Sequence, residues 1–284
     1  QGHVIVGPSG ILHGLNKRKG SRTVQLTNVA INENVTVVDG MLFSTDMGLN
    51  GLPHVNFTAV YVKTGGSLRL VSHIERPLYA HLRSPERWAP TIKSFVELDE
   101  RTKPKKECVV FAGDSDIVGC ELDKWFPKLD AINRGFGGSE IEDVVRYMHD
   151  VVLKHKPRVV VFSCGGNDIA RGKSPEDVHK DFLQFTKSLF FELPACRLLV
   201  TAQHTPPMFV ERDNVDENLC TFNKLVEDTA QNDERITFMR ETREVLHDKD
   251  DKPRNDRFSN ERIHFNDEGY RHWTAVITRY LKQR

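Results

Sequence analysis

The sequence predicts an α/β protein in which a small, mainly antiparallel β domain precedes a larger domain built on a parallel sheet. Two patterns carry this prediction. Over about the first 80 residues, apolar and polar side chains alternate with the period of two that is typical of half-buried strands. Further along the chain, apolar runs of strand length alternate with amphipathic helical segments, which indicates a parallel sheet with helices on its faces. The 284 residues suffice for one sizeable core and one smaller core.

Composition and charge narrow the possible partners. The 40 Lys and Arg residues balance 40 Asp and Glu residues, whereas a protein that binds nucleic acid needs a surplus of positive charge. No run approaches the roughly 18 consecutive apolar residues of a membrane-spanning helix. The composition therefore predicts small-molecule or protein partners, no nucleic acid and no membrane span.

The cysteines and the start of the chain bear on its location. The five cysteines are odd in number, lack CxxC spacing and mostly lie in or beside apolar runs, so we expect reduced thiols rather than a disulfide framework. No signal peptide opens the chain as given, which starts at Gln1. Both features favour a soluble, cytoplasmic protein, although a segment upstream of Gln1 would change that expectation.

Residues 1–83 form the predicted antiparallel domain. Its strand-forming segments are residues 4–6, 23–31, 35–43, 55–63 and 67–74. Glycine-containing connections at residues 7–10 and 65–66 are typical of hairpins. The stretch VNFTAVYVKTGGSLRLVSHIERP resembles the last strands of the nuclear-transport-factor-like (SnoaL-like) cone fold. The helices that open that fold are missing, so we expect the uncovered sheet face to dock on the rest of the chain or on a second copy in a homodimer.

Residues 84–106 are predicted to be a connecting helix followed by a linker. Apolar residues recur at helical spacing behind Ser84, at Trp88, Ile92, Phe95 and Leu98. The polar, Lys-rich segment after them indicates the linker that leads into the last part of the chain.

Residues 107–284 contain the predicted parallel sheet. Buried strands are expected at residues 108–112, 159–163, 198–202 and 236–239. Ser139 and Glu142 form a capping-box pattern, which predicts one continuous helix through the apolar residues up to Val152. A second helix begins at Ser174 and should bury the apolar side chains of Val178, Phe182, Phe185 and Leu189.

Four short segments carry small and polar residues suited to the edge of an open α/β sheet where ligands bind: VVFAGDSDIVG, INRGFGGSEIE, VVVFSCGGNDI and NERIHFNDEGY. In this order they resemble the blocks of the SGNH (GDSL-type) esterase and acylhydrolase superfamily, over about residues 88–284. The resemblance implies a three-layer, flavodoxin-like parallel sheet and a serine hydrolase that needs no metal or cofactor.

The resemblance makes Ser115 the nucleophile, and the residues agree. Ser115 follows a buried strand at a predicted turn into a helix, where a hydroxyl is presented at the sheet edge. The alternative is that Ser115 only caps that helix. The resemblance further implies that the oxyanion hole is formed by Ser115, Gly138 and Asn167. A glycine lets its N–H approach a developing oxyanion with no side chain in the way, although Gly138 and Asn167 are also ordinary turn residues.

His264 is the general base that the resemblance implies, and the acid that orients it is less certain from the sequence. The family usually has Asp three residues before the histidine, whereas this chain has Glu261. Glu261 has the same charge and can reach the imidazole, so it is the expected acid, with Asp256 as the alternative and a dyad without an acid as a third possibility. Asp116 also departs from the family, which has leucine there. His204 follows the third candidate strand and could line the acyl or alcohol pocket, but such a histidine is more often a solvated loop residue, so it is left outside the predicted site.

Other site chemistries fit poorly. GGNDIARGKS lacks the spacing of a phosphate-binding P-loop, and neither a His-Glu-x-x-His pattern nor a cysteine cluster is present to hold zinc. The resemblance therefore implies a serine ester hydrolase that acts on a small-molecule ester. Short acyl groups, acetyl first, are the expected substrates because the sequence contains no long apolar lid segment. The alternatives are a lysophospholipase or thioesterase of the same superfamily, or a binding or scaffold protein with weak catalysis.

Overall fold

The computed structural model describes residues 22–32, 35–44, 55–64, 67–77, 85–102 and 107–283. The chain divides after Arg87 into two compact units. The strand predicted at residues 4–6, both glycine connections and the Lys-rich linker at residues 103–106 lie outside the described residues. Among the helices that are described, none combines the length and apolar character needed to cross a membrane.

The first unit contains an antiparallel sheet of four strands in the order β1-β2-β3-β4. The strands are β1 Arg22–Asn32, β2 Val35–Ser44, β3 Val55–Thr64 and β4 Ser67–Pro77. The pairing register shifts once between β1 and β2 and once between β3 and β4. Such bulges increase the local twist of a sheet and bend its strands. The antiparallel sheet predicted from period-two alternation is confirmed.

The second unit is built on a parallel sheet of five strands in the order β6-β5-β7-β8-β9. Its strands are β5 Val109–Gly113, β6 Ala131–Gly135, β7 Val159–Ser163, β8 Arg197–Thr201 and β9 Ile236–Met239. All residues of β5 and β7 are buried, which explains why both are written as continuous apolar runs. The predicted parallel sheet is confirmed, but β6 was missed because it is a short, half-buried edge strand.

Helices cover both faces of this sheet. They are α1 Ala89–Thr102, α2 Ser115–Val118, α3 Leu122–Trp125, α4 Ile141–Arg146, α5 Met148–Val151, α6 Gly166–Ala170, α7 Pro175–Glu192, α8 Val215–Gln231, α9 Glu241–Glu244 and α10 Asp267–Lys282. Alternate residues of β5 enter two different cores, since Val110 and Ala112 pack in the cluster that contains residues of α7 and α8. Val109 and Phe111 pack in the cluster that contains residues of α10. The three-layer α/β architecture is therefore as predicted.

The prediction of one continuous helix up to Val152 is wrong in two respects. The helix breaks at Tyr147, which separates α4 from α5. Buried apolar residues continue on both sides of the break, so the sequence spacing does not reveal it. The helix also begins one residue later than predicted, because the Asp143 carboxylate accepts a hydrogen bond from the Glu140 N–H at 3.0 Å, while the Ser139 hydroxyl donates instead to the Gly113 carbonyl.

The helix predicted from Ser174 is confirmed as α7. The Ser174 hydroxyl accepts a hydrogen bond from the Asp177 N–H at 3.1 Å and so caps the first turn. The four apolar residues expected to face the core are all fully buried: Val178, Phe182, Phe185 and Leu189. Helix α1 was also predicted, although only Ile92 of its apolar residues is fully buried and Leu98 remains 47% exposed.

Two phenylalanines of α7 allow a test of this packing. Phe185 is fully buried and stacks on Phe162 with ring centroids 4.3 Å apart, whereas Phe191 is 82% exposed. We expect Phe185→Ala to lower the free energy of unfolding by about 3–5 kcal/mol, because it leaves a cavity between helix and sheet. Phe191→Ala, the matched control, should change it by no more than about 0.5 kcal/mol. Denaturant unfolding of both variants measures this difference, and equal losses would contradict the packing.

Candidate active site

The turn that follows β5 holds Ser115 at the edge of the sheet. Gly113 has φ +143°, and a Cβ at this position would lie 1.8 Å from the Ser163 carbonyl oxygen, so only glycine fits between the two strands. The Asp114 N–H donates to that same oxygen at 3.0 Å. The side chain that caps α2 is Asp114, whose carboxylate accepts from the Asp116 N–H at 3.1 Å. The alternative interpretation of Ser115 as the helix cap is therefore wrong.

A pocket of about 780 Å³ lies over this turn. Four residues predicted from the sequence line it together: Ser115, Gly138, Asn167 and His264. Ser115, Gly138 and Asn167 follow β5, β6 and β7, and they meet because the carboxyl ends of parallel strands share one edge of the sheet. His264 comes from the loop before α10. Glu261 does not line the pocket, but its carboxylate contacts Nδ1 of His264.

The loop after β6 holds Gly138 in a backbone conformation that favours glycine, with φ +79°. The Gly138 carbonyl accepts a hydrogen bond from Nη1 of Arg171 at 2.9 Å, and the same guanidinium nitrogen lies 2.7 Å from a carboxylate oxygen of Glu140. Arg171 thus fixes the orientation of the peptide groups in this loop.

The segment after β7, which enters the short helix α6, places the Asn167 amide beside the Gly138 turn. Nδ2 of Asn167 donates to the Ser139 carbonyl at 3.1 Å. The amide has a second N–H, which can be donated to a substrate oxygen. The next residue, Asp168, is fully buried and its carboxylate accepts from the Ile141 N–H at 3.2 Å, so this loop is tied to the start of α4. Burial raises the pKa of Asp168 to about 7.

His264 and Glu261 form a close pair in the loop before α10. Nδ1 of His264 lies 2.7 Å from Oε1 of Glu261. Hydrogen bonds with Ser259 and then with His264 lower the pKa of Glu261 to about 2, so this carboxylate is charged near neutral pH. Because Nδ1 is engaged, Nε2 is the ring nitrogen left for proton transfer.

Asp256, the alternative acid, has other partners. Its carboxylate lies 3.1 Å from Nη2 of Arg254 and 3.7 Å from Nε of Arg257. It does not line the pocket. Within the described part of the chain, the contact to the imidazole of His264 is thus made by Glu261.

Comparison with known proteins identifies the family. Residues 111–272 match the sequence profile of the GDSL-like Lipase/Acylhydrolase family, which is more than half of the chain. The chain belongs to this family. It is accordingly a hydrolase, and a catalytic triad with an oxyanion hole is typical of the family. The described segments of the first unit precede the matched residues.

Solved structures share the GDSL fold with this chain at low sequence identity. A Streptococcus pneumonia protein whose name refers to platelet activating factor has a TM-score of 0.62 and 15% identity, with 72% of this chain and 99% of that chain covered. A GDSL-like lipase from Bacteroides thetaiotaomicron has a TM-score of 0.56 and 18% identity, with 70% of this chain and 98% of that chain covered. A catalytic mutant of an acetylxylan esterase from Geobacillus stearothermophilus has a TM-score of 0.51 and 14% identity, with 63% of this chain and 96% of that chain covered. No curated protein matches the chain by sequence.

Two pocket residues of this GDSL-family chain were missed from the sequence. His204, expected to be solvated, is only 8% exposed and lines the pocket. Its neighbour Gln203 accepts a hydrogen bond from the Gly166 N–H at 3.0 Å and so supports the loop that carries Asn167. Their position just after β8 could have indicated a place in the pocket, because the carboxyl ends of all strands in this parallel sheet lie at the same edge.

Asp116, which stands where the family has leucine, is a buried acidic residue. It is 8% exposed and lines the pocket beside Ser115. Burial raises its pKa well above the usual value, and the nearby Asp114 carboxylate raises it further. The pocket of this chain therefore contains a buried acidic side chain beside the nucleophile.

Proposed function

We propose that the chain is a serine esterase for short acyl groups, acetyl first, with a triad of Ser115, His264 and Glu261. The observation that carries the proposal is the convergence of Ser115, Gly138, Asn167 and His264 on one pocket, with Glu261 2.7 Å from the imidazole. A hydroxyl, an imidazole and a charged acid in this arrangement are the parts that nucleophilic acyl transfer requires.

His264 acts first as a base and then as an acid. Nε2 removes the proton from the Ser115 hydroxyl while Oγ attacks the ester carbonyl carbon, which gives a tetrahedral intermediate. The carbon–oxygen bond to the alcohol breaks, and the alcohol leaves with the proton from His264. A water molecule then gives its proton to Nε2 and attacks the acyl group on Ser115, which releases the carboxylic acid and restores the hydroxyl.

Three donors stabilise the negative charge of the tetrahedral intermediate. They are the Ser115 N–H, the Gly138 N–H and the second amide N–H of Asn167. The Ser139 carbonyl holds the Asn167 amide, and Arg171 binds the carbonyl of Gly138. Donors that are fixed before the substrate arrives are most valuable when the charge develops. Glu261 stabilises the imidazolium that forms at the same time.

The preference for short acyl groups is supported by two polar side chains in the pocket lining, Asp116 and His204. A long apolar chain laid over Asp116 and His204 would remove these polar groups from water without giving them a partner. The acetylxylan esterase among the structural neighbours is named for an acetyl ester, which agrees with this preference.

Hydrolysis of p-nitrophenyl esters tests the proposal. Wild-type protein should hydrolyse the acetate well above a Ser115→Ala control, and the rate should fall as the acyl chain grows from two to eight carbons. A rate that rises with chain length would favour the lysophospholipase or thioesterase alternative. No turnover above the control would favour a binding or scaffold protein.

The oxyanion hole gives a further prediction. Asn167→Ala should lower kcat by roughly 10²–10³ with a smaller effect on KM, because the amide matters most when charge develops on the oxygen. The matched control is Asn232→Ala, since Asn232 is exposed at the end of α8 and its side chain donates to the Asp228 carbonyl. Steady-state kinetics on p-nitrophenyl acetate measure both. A change confined to KM would instead assign Asn167 to ground-state binding.

A further inference from the structure

Asp116 and His204 face each other across a narrow gap beside the nucleophile. Both residues are 8% exposed, and both line the pocket that contains Ser115. Oδ2 of Asp116 lies 3.7 Å from Nδ1 of His204. This distance is too long for a direct hydrogen bond. The mechanism above uses neither side chain.

The surroundings of His204 indicate which ring nitrogen carries its proton. The ring lies against Phe258 and Phe265, with centroid distances of 5.6 and 4.8 Å. Nε2 is buried and has no hydrogen-bond partner within the described segments. Burial lowers the pKa of His204 well below its usual value, and the nearby Arg243 guanidinium lowers it further, so the ring is neutral. An orphaned N–H is avoided more strictly than an orphaned acceptor, which favours the proton on Nδ1, opposite Asp116.

One oxygen atom can bridge this gap if it lies to the side of the line between Nδ1 and Oδ2. An atom can lie about 2.8–3.0 Å from both Nδ1 and Oδ2 when these are 3.7 Å apart. A hydroxyl group completes both bonds, since its oxygen accepts from the Nδ1–H and its hydrogen is donated to Oδ2. Oδ2 can accept this bond whether or not Asp116 carries a proton on its other oxygen.

The charges of the pocket favour a neutral group over an ion. Among the described residues that line the pocket, acids are present but no Lys or Arg, so an anion finds no cationic partner. Burial raises the pKa of Asp116 and thereby weakens it as a partner for a cation. A hydroxyl satisfies both sides of the gap without a net charge.

We propose that Asp116 and His204 form a binding subsite for a neutral hydroxyl group of the ester substrate. The inference rests on the proposed esterase function and adds a substrate class to it, namely short esters that carry a free hydroxyl close to the ester bond. The hydroxyl can belong to the alcohol or to the acyl group, and the two sources are separable by experiment.

Two pairs of matched esters test the subsite. The alcohol pair is 2-hydroxyethyl acetate against propyl acetate, and the acyl pair is methyl glycolate against methyl propanoate. In each pair a hydroxyl replaces a methyl group. Each kcat/KM is divided by the rate of hydroxide-catalysed hydrolysis of the same ester, which removes differences in intrinsic reactivity. We expect one pair to favour the hydroxyl ester by about tenfold or more, since a site that hydrogen bonds a hydroxyl rejects the analogue lacking it.

Variants then connect the preference to the two residues. Asp116→Leu and His204→Phe should each reduce the ratio for that pair towards one, whereas His272→Phe, at a histidine outside the pocket, should keep the wild-type ratio. If either variant fails to fold, Asp116→Ala and His204→Leu replace them, since neither new side chain can form a hydrogen bond. The ratio of the wild-type protein is a test that requires no variant. A wild-type ratio within about twofold of one for both pairs, against the tenfold expected, overturns the subsite, as does an unchanged ratio in folded variants. If the wild-type protein does not hydrolyse p-nitrophenyl acetate above the Ser115→Ala control, the proposed esterase function itself is overturned.

Discussion

Replacing Ser115 or His264 with alanine is expected to lower kcat for p-nitrophenyl acetate by roughly 10⁶-fold, because the members of a triad act as a unit. Without the hydroxyl there is no nucleophile, and without the imidazole the hydroxyl keeps its proton. Each single loss removes the same step, so the double variant should be scarcely slower than either single variant. Steady-state kinetics on the three variants measure these rates, and circular dichroism checks that each variant is folded.

Matched controls exist for both substitutions. Ser94→Ala on α1 and His149→Ala on α5 change an exposed serine and an exposed histidine outside the pocket, so their kcat should match the wild type. Retention of more than about a tenth of wild-type kcat by Ser115→Ala would remove Ser115 from the role of nucleophile, since triad losses are thousandfold or larger. Losses that multiply in the double variant would mean that the two residues act in separate steps.

The sheet of the second unit was predictable where each strand is surrounded by other elements. β7 pairs with β5 and β8, and its alternate residues pack in the cores on the two sides of the sheet. Its bounds therefore follow directly from the buried run Val159–Ser163. β6 lies at the edge and is half-buried, and its pattern is too weak to separate from a loop. The break at Tyr147 was hidden because α4 and α5 keep their apolar residues on the same core.

The sequence allowed most of the site residues to be predicted, but not the burial of the side chains around them. Motifs identified Ser115, Gly138, Asn167 and His264, because small and polar residues after buried strands are unusual enough to stand out. The burial of His204 was not predictable, since it depends on Phe258 and Phe265, which come from a loop more than 50 residues later. A sequence pattern contains no information on such distant contacts.

The choice between the two acids likewise required three-dimensional contacts. Glu261 and Asp256 both precede His264 at distances that a loop can close, so spacing left the choice open. In the folded chain, Arg254 and Arg257 lie beside the Asp256 carboxylate, while Glu261 lies 2.7 Å from the imidazole.

The orienting acid gives the last prediction. Glu261→Gln should lower kcat by roughly 10³–10⁴, because an amide can present its N–H₂ group to Nδ1 and so hold the imidazole in the wrong tautomer. Glu261→Asp should retain part of the rate, since it keeps the charge on a shorter side chain. Asp256→Asn is the matched control and should change kcat little, because its carboxylate contacts Arg254 rather than His264. Kinetics of the three variants on p-nitrophenyl acetate separate these outcomes. If Asp256→Asn proves the more damaging change, the orienting carboxylate is Asp256 and the loop that contains both acids must rearrange when substrate binds.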